Sequence, residues 1–139
     1  MNVVFARGAI VYTIINKMVY YIIVKNKKDV YGFPKGLAEN EESELETALR
    51  EIHEETSLNV EIDTSFRKVL EYIQPEYNRI KYVTYFLGKY ENQEFKLQEE
   101  ELKGIFLLSF DEAKQLIKEK NTLELFEYAN EEIIKKENI

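Results

Sequence analysis

Between Gly36 and Leu58 the chain gathers carboxylates at a density that costs stability unless a cation sits among them: Glu42, then Arg50-Glu51-Ile52-His53-Glu54-Glu55. As a helix from Ser43 to Thr56, this stretch places Leu45, Ala48, Leu49 and Ile52 at i, i+3, i+4 and i+7, the spacing of a buried stripe. Glu51, Glu54 and Glu55 then share another face. Two such charges roughly 5 Å apart repel by about 3 kcal/mol at an effective dielectric near 20, so three of them demand a counter-charge or full solvation. Hard oxygen donors of this kind suit Mg2+, with Mn2+ as a substitute. A glutamate-rich helix is usually a solvated face; here the density of carboxylates points to a divalent metal.

The 139 residues are one domain's worth, 1–139, and their 45% hydrophobic content supports a core without disulfides or a structural metal. With no cysteine, disulfides, thiolate zinc sites and cysteine nucleophiles are excluded. Met1 is not followed by a basic-then-apolar leader, so a cytoplasmic location is expected. No apolar run nears the ~20 residues that cross a bilayer, and the amphipathic stretches are acidic, so no membrane partner is expected. The net charge of -7 argues against long nucleic acids, which bind through a basic footprint. It leaves room for a small anionic substrate, because a metal and a few lysines can reverse the potential inside one cleft. Nothing in the sequence fixes the oligomeric state.

Along the chain, β-branched and aromatic residues from Val3 to Tyr12 and from Met18 to Lys25 predict an antiparallel pair joined at Ile15-Asn16-Lys17. Val30 to Phe33 reads as a short extended piece halted by Pro34, ahead of a helix capped by Asn40 or Ser43 and ending near Ser57. Val60 to Thr64, Phe66 to Gln74 and Ile80 to Tyr90 read as strands, with a loop at Pro75 to Asn78. A last short strand, Gly104 to Leu108, precedes a helix from Ser109 through Lys118, with Glu112 at the capping-box position, and a final helix from about Leu123 to Lys135. Strands bounded by helices, with a hairpin in the sheet, predict an α/β protein with a mixed sheet covered on both faces.

The stretch from Gly36 to Leu58 resembles the Nudix box, G-x5-E-x7-R-E-U-x-E-E-x-G-U with U a bulky apolar residue. It matches at Gly36, Glu42, Arg50, Glu51, Ile52, Glu54, Glu55 and Leu58, and Ser57 stands where the pattern has its second glycine. The resemblance implies the Nudix α/β/α sandwich. It also implies attack of water on a phosphorus of a nucleoside diphosphate linked to some other group, with metal on the phosphate oxygens. By position in the box it makes Glu54 and Glu55 metal ligands, Glu51 a ligand or water-orienting base, and the Lys35 carbonyl a further ligand. Glu42 and Arg50 become a supporting pair, with Arg50 fixing the geometry of the catalytic carboxylates. The family brings one more carboxylate, ligand or base, from a loop well after the box; of Glu99, Glu100 and Glu101, the last keeps the distance to Gly104 seen in relatives. His53 occupies a variable position and is assigned no role.

Beyond the box, Phe33-Pro34-Lys35-Gly36, Glu39 and Leu45 to Glu51 look like the asymmetrical diadenosine tetraphosphate hydrolases. Asn78-Arg79 with Lys81 ahead of Val83 to Leu87, and then Phe110 to Leu116, are similar to that family as well. This implies that Lys35, Arg79 and Lys81 neutralise a polyphosphate, that Tyr77, Tyr82 or Tyr85 stacks adenine, and that ATP and AMP are the products. Two other readings stand beside it. One is a nucleoside triphosphate or RNA 5'-end pyrophosphohydrolase, the RNA version disfavoured by the acidic surface. The other is a Nudix-fold nucleotide sensor without turnover, disfavoured by the full set of box carboxylates.

Overall fold

The computed structural model describes residues 1–139. Its first two strands, β1 (Asn2–Ile15) and β2 (Met18–Asn26), form the expected hairpin, with Ile15 opposite Met18. Asn16 and Lys17 both take positive φ, 51° and 66°, which gives a two-residue turn whose twist matches that of the strands. Two short strands follow, β3 (Tyr31–Gly32) and β4 (Lys35–Leu37), separated by Phe33 and Pro34. The carboxylate helix is α1 (Glu44–Thr56), capped by Ser43 and not Asn40. The Ser43 hydroxyl accepts from the Glu46 amide at 3.1 Å while the Glu46 carboxylate accepts from the Ser43 amide at 2.9 Å. At its other end Ser57 turns left-handed, φ 66°, where a glycine would be at ease.

The remaining elements are β5 (Glu61–Gln74), β6 (Arg79–Lys89), β7 (Leu102–Ser109), α2 (Phe110–Leu116) and α3 (Lys120–Glu137). β5 is one strand where the sequence suggested two; its register slips between Asp63 and Lys68, where Asp63 accepts from the Ser65 amide at 2.9 Å. α2 stops at Leu116, and Ile117 turns extended and buried. α3 begins three residues earlier than its apolar pattern indicated, because the Glu119 carboxylate accepts from the Thr122 amide at 2.8 Å and caps it.

The seven strands form one mixed sheet, β3-β2-β1-β6-β5, with β4 on β1 and β7 on β2. β1 and β6 are parallel and the other pairs antiparallel. Long β1 shares one flank: Ala6 to Gly8 pair with β4 and Tyr12 to Ile15 with β2. The alternation of side chains along β1 divides the interior. Ala6, Ile10 and Tyr12 join the α2 and α3 side, with Phe126 and Ile133, while Ala9 and Val11 join the α1 side, with Ala48 and Ile52. Helices cover both faces, as the patterning predicted.

One expectation fails. Leu45 and Leu49 are 40% and 38% exposed, and the inward face of α1 is instead Thr47, Ala48, Glu51, Ile52, Glu55 and Thr56. The helix is rotated about its axis because it packs over β4 as well as over apolar sheet, and the β4 backbone offers amides that carboxylates can use. That rotation turns Glu51 and Glu55 from surface residues into buried ones, 9% and 7% exposed.

Candidate active site

Arg50 is the hub of one carboxylate group. Its Nε donates to Glu42 at 2.6 Å and its Nη2 to the other Glu42 oxygen at 2.9 Å, a two-point pairing. Nη1 donates to Glu51 at 2.9 Å and to Glu54 at 3.1 Å, and Nη2 also reaches the Leu37 carbonyl at 3.0 Å. The guanidinium therefore ties α1 to the loop before it. Glu42 is held down at about 2, chiefly by Arg50 and then by the Glu39 amide, which donates to it at 2.9 Å.

Glu51 also belongs to a second carboxylate group, in which no cation joins all the members. Glu51 and Glu55 on α1 and Glu101 on the turn before β7 bring one oxygen each to within 4.8 Å of one another. Burial pushes the Glu55 carboxyl up to about 8, against the Lys35 amide, which donates to it at 3.0 Å, and the Lys35 ammonium. Glu51 is raised as well, again first by burial, despite Arg50. Gly36 makes this arrangement possible, because a Cβ there would run into the Glu51 carboxylate. Three converging oxygens, two of them on buried groups, are a donor set of the hard-cation type, and a divalent ion would relieve their mutual repulsion. Glu54, exposed and paired with Arg50, stands outside the trio. His53 is exposed and contributes its carbonyl to the helix exit.

Beside the trio opens a cavity of about 370 Å³ that Glu55, Lys35 and Lys81 line together with Phe33, Tyr72 and Thr122. Lys35 and Lys81 lie side by side, and each is lowered, first by burial; Lys81 falls to about 8, with Lys35 and Arg79 adding to the fall. Two ammonium groups placed together in a partly buried cleft are an anion site. A larger hollow of about 660 Å³ at Asp63 and Glu91 lacks this character, since Lys136 and Lys89 already neutralise those acids at 2.9 and 3.5 Å.

The aromatic expectations divide. Tyr77 is 48% exposed at the rim, with Lys28 and Arg79 at 4.5 and 4.7 Å from its ring centre. Arg79 is also held by Gln74 at 2.6 Å. Tyr82 is a correction: it stacks on Phe5 at 5.9 Å, on the sheet face opposite Lys81, and so cannot reach the cavity. Tyr85 is a second correction, because at 1% exposure, edge-on to Phe33, it forms floor and offers no face for stacking.

Sequence reasoning missed Lys28, Tyr72, Glu119 and Thr122, all of which line the cavity. Only Glu119 and Thr122 left a trace, an acceptor three residues ahead of a threonine at a helix start, which is a capping pattern.

A profile of the NUDIX domain matches residues 4–128. Among solved structures, the chain is similar to a C. elegans Ap4A hydrolase in a binary complex, with a TM-score of 0.86 at 20% identity over 94% of this chain and 97% of that one. The NUDIX domain of Shewanella oneidensis NrtR, complexed with ADP ribose, gives a TM-score of 0.77 at 15% identity over 96% and 90%. A MutT NUDIX hydrolase from Burkholderia pseudomallei gives 0.71 at 17% identity over 89% and 98%. No curated protein sequence matches. Identities this low speak for the fold.

Proposed function

Because the chain belongs to the Nudix family, matched over residues 4–128, we propose that it is a Mg2+-dependent hydrolase that splits diadenosine tetraphosphate asymmetrically into ATP and AMP. The observation that carries this reading is the placement of the Glu51, Glu55 and Glu101 trio beside the Lys35 and Lys81 pair at one cleft. The similar fold of an Ap4A hydrolase supports it, as do the sequence segments around Phe33 to Glu51 and Asn78 to Leu87.

Glu51, Glu55 and Glu101 would hold the metal, with Glu54 and the Lys35 carbonyl completing the set. When bound, Mg2+ supplies charge neutralisation on the phosphate oxygens and lowers the pKa of water. Lys35 and Lys81 take the polyphosphate, and Arg50 keeps Glu51 and Glu54 aimed. The water oxygen bonds to one phosphorus and the bridging P–O bond to the leaving nucleotide breaks. Glu101, exposed and carried on a turn, would accept the water's proton through its oxygen that does not face the metal. The fit is to a small nucleotide, in the cytoplasm; no helix is long and apolar enough to cross a membrane.

Product analysis tests the reading. ATP and AMP in equal amounts, only with Mg2+ or Mn2+ present, are expected. Two ADP, or equal turnover in excess chelator, would refute it. Faster release of pyrophosphate from nucleoside triphosphates would move the assignment to the pyrophosphohydrolase reading, and binding with no turnover to the sensor reading.

A further inference from the structure

The cavity beside the trio has two chemically opposite walls. On one, Lys35 and Lys81 can only donate. On the other, the N-terminus of α3 meets β5 and β6 through Glu119, Thr122, Tyr72 and Tyr85. The Thr122 hydroxyl donates to Glu119 Oε2 at 3.1 Å, since a carboxylate cannot give a proton back, and the Thr122 amide donates to the same oxygen at 2.8 Å. The Tyr72 hydroxyl is 2.7 Å from Thr122 Oγ1, whose own proton is already used, so Tyr72 is the donor there. The Tyr72 and Thr122 hydroxyl protons therefore both point toward Glu119. Neither is left to donate into the cavity, while Glu119 Oε1 takes no part in the cap and remains an acceptor.

We propose that this wall reads the nucleobase, with Glu119 Oε1 accepting a hydrogen bond from an exocyclic amino group, so that amino-bearing bases bind in preference to their oxo counterparts. The inference rests on the nucleotide reading above and adds to it the residue that discriminates among bases. An oxo group facing this wall would set its lone pairs against those of Glu119 and gain no hydrogen bond there. Phosphates go to the lysine wall and the base to the acceptor wall, so one nucleotide is oriented end to end.

The test is a titration of the full chain in Mg2+ with AMP and IMP, and with CMP and UMP as a second amino and oxo pair. AMP is expected to bind about tenfold more tightly than IMP, the scale of a hydrogen bond to a charged group. Glu119→Gln should bring that ratio close to one, because an amide can turn either its oxygen or its NH2 to the ligand. Glu119→Asp keeps a capping acceptor but shortens the reach, and should lose the ratio too, with the melting temperature near that of the parent. Equal binding of AMP and IMP to the parent would overturn the proposal. So would a ratio that survives both variants, or an equal weakening of both ligands, which would mean that Glu119 holds the ribose. Binding is read without turnover, so a chain that prefers AMP through Glu119 yet splits no dinucleotide would refute the proposed reaction and leave this inference standing.

Discussion

The two carboxylate groups gathered around α1 share Glu51 and are opposite in electrostatic sense. Glu42, gripped twice by Arg50, is held at about 2, whereas Glu55 is pushed up to about 8 by burial, which outweighs the Lys35 amide and ammonium. Burial raises a carboxyl and a close guanidinium lowers it, so the contrast separates the carboxylates already balanced by a cation from those that are not. The Arg50 group is self-sufficient. The trio of Glu51, Glu55 and Glu101 is costly until a cation joins it.

The sharpest way to break that contrast is to remove the trio's buried charge. Glu55→Gln should lower kcat by about a hundredfold or more if Glu55 holds the metal as proposed. The metal-free variant should melt no lower than the parent at neutral pH, because burial already holds Glu55 largely protonated and the amide replaces one neutral group with another. Addition of Mg2+ should raise the melting temperature of the parent and leave the variant nearly unmoved. A parent that melts at the same temperature with Mg2+ and with chelator would remove the distinction between the two groups.

The converse experiment attacks the self-sufficient group. Arg50→Ala strands Glu42, Glu51 and Glu54 together and should cost about 3 kcal/mol in urea unfolding, with or without Mg2+. Its loss of activity would follow from misplaced carboxylates, so Arg50→Lys, which keeps the charge but not the two-point geometry, should recover little of it. A fully active lysine variant would show that charge alone suffices.

A smaller effect than either is expected at Lys81. Lys81→Ala should raise KM about tenfold for diadenosine tetraphosphate with a smaller change in kcat, if the ammonium holds ground and transition states alike. An unchanged KM would remove Lys81 from substrate binding and leave that role to Lys35.

The pH response of Glu42 sharpens the comparison from the acid side. Its folded value lies below its ordinary one of 4.5, at about 2, so its contribution to stability is present above about 4.5 and lost as pH falls through about 2. The parent should therefore lead Glu42→Gln in melting temperature at neutral pH and lose that lead across this window. A lead that persists unchanged at pH 2 would mean that the pairing with Arg50 is not what Glu42 contributes.

Much of this was legible in advance because the box carries its chemistry in fixed spacing. Gly36, Glu42, Arg50 and the carboxylates after it could be placed from sequence, and so could the sheet, whose strands announce themselves by β-branched and aromatic runs. The rotation of α1 was not legible. Leu45 and Leu49 look like core by period, and only the β4 backbone beneath the helix, donating from Lys35 to Glu55, makes an inward carboxylate cheaper than an inward leucine. Tyr82 was a readable error: Lys81 and Tyr82 are adjacent in one strand, and a period of two places them on opposite faces. Glu119 lay hidden because its function in the cavity depends on which residues face α3 across it, and those come from β5 and β6.

Ser57 tests the smallest and most local consequence. It follows α1 with φ at 66°, in the left-handed region where the family pattern has glycine, and its amide donates to the His53 carbonyl at 2.8 Å to close the helix. A residue with a Cβ takes that conformation at roughly 1 kcal/mol, and glycine takes it freely. Ser57→Gly should therefore relieve backbone strain, offset in part by the greater freedom of the unfolded chain, for a net stabilisation of up to about 1 kcal/mol. Neither carboxylate group should notice, because Ser57 lies beyond the last ligand and is exposed. Mg2+ dependence and KM should stay at the parent values while the melting temperature rises by a few degrees. A glycine variant that melts lower would mean that the serine gains more from restricting the unfolded chain than it loses to its left-handed turn.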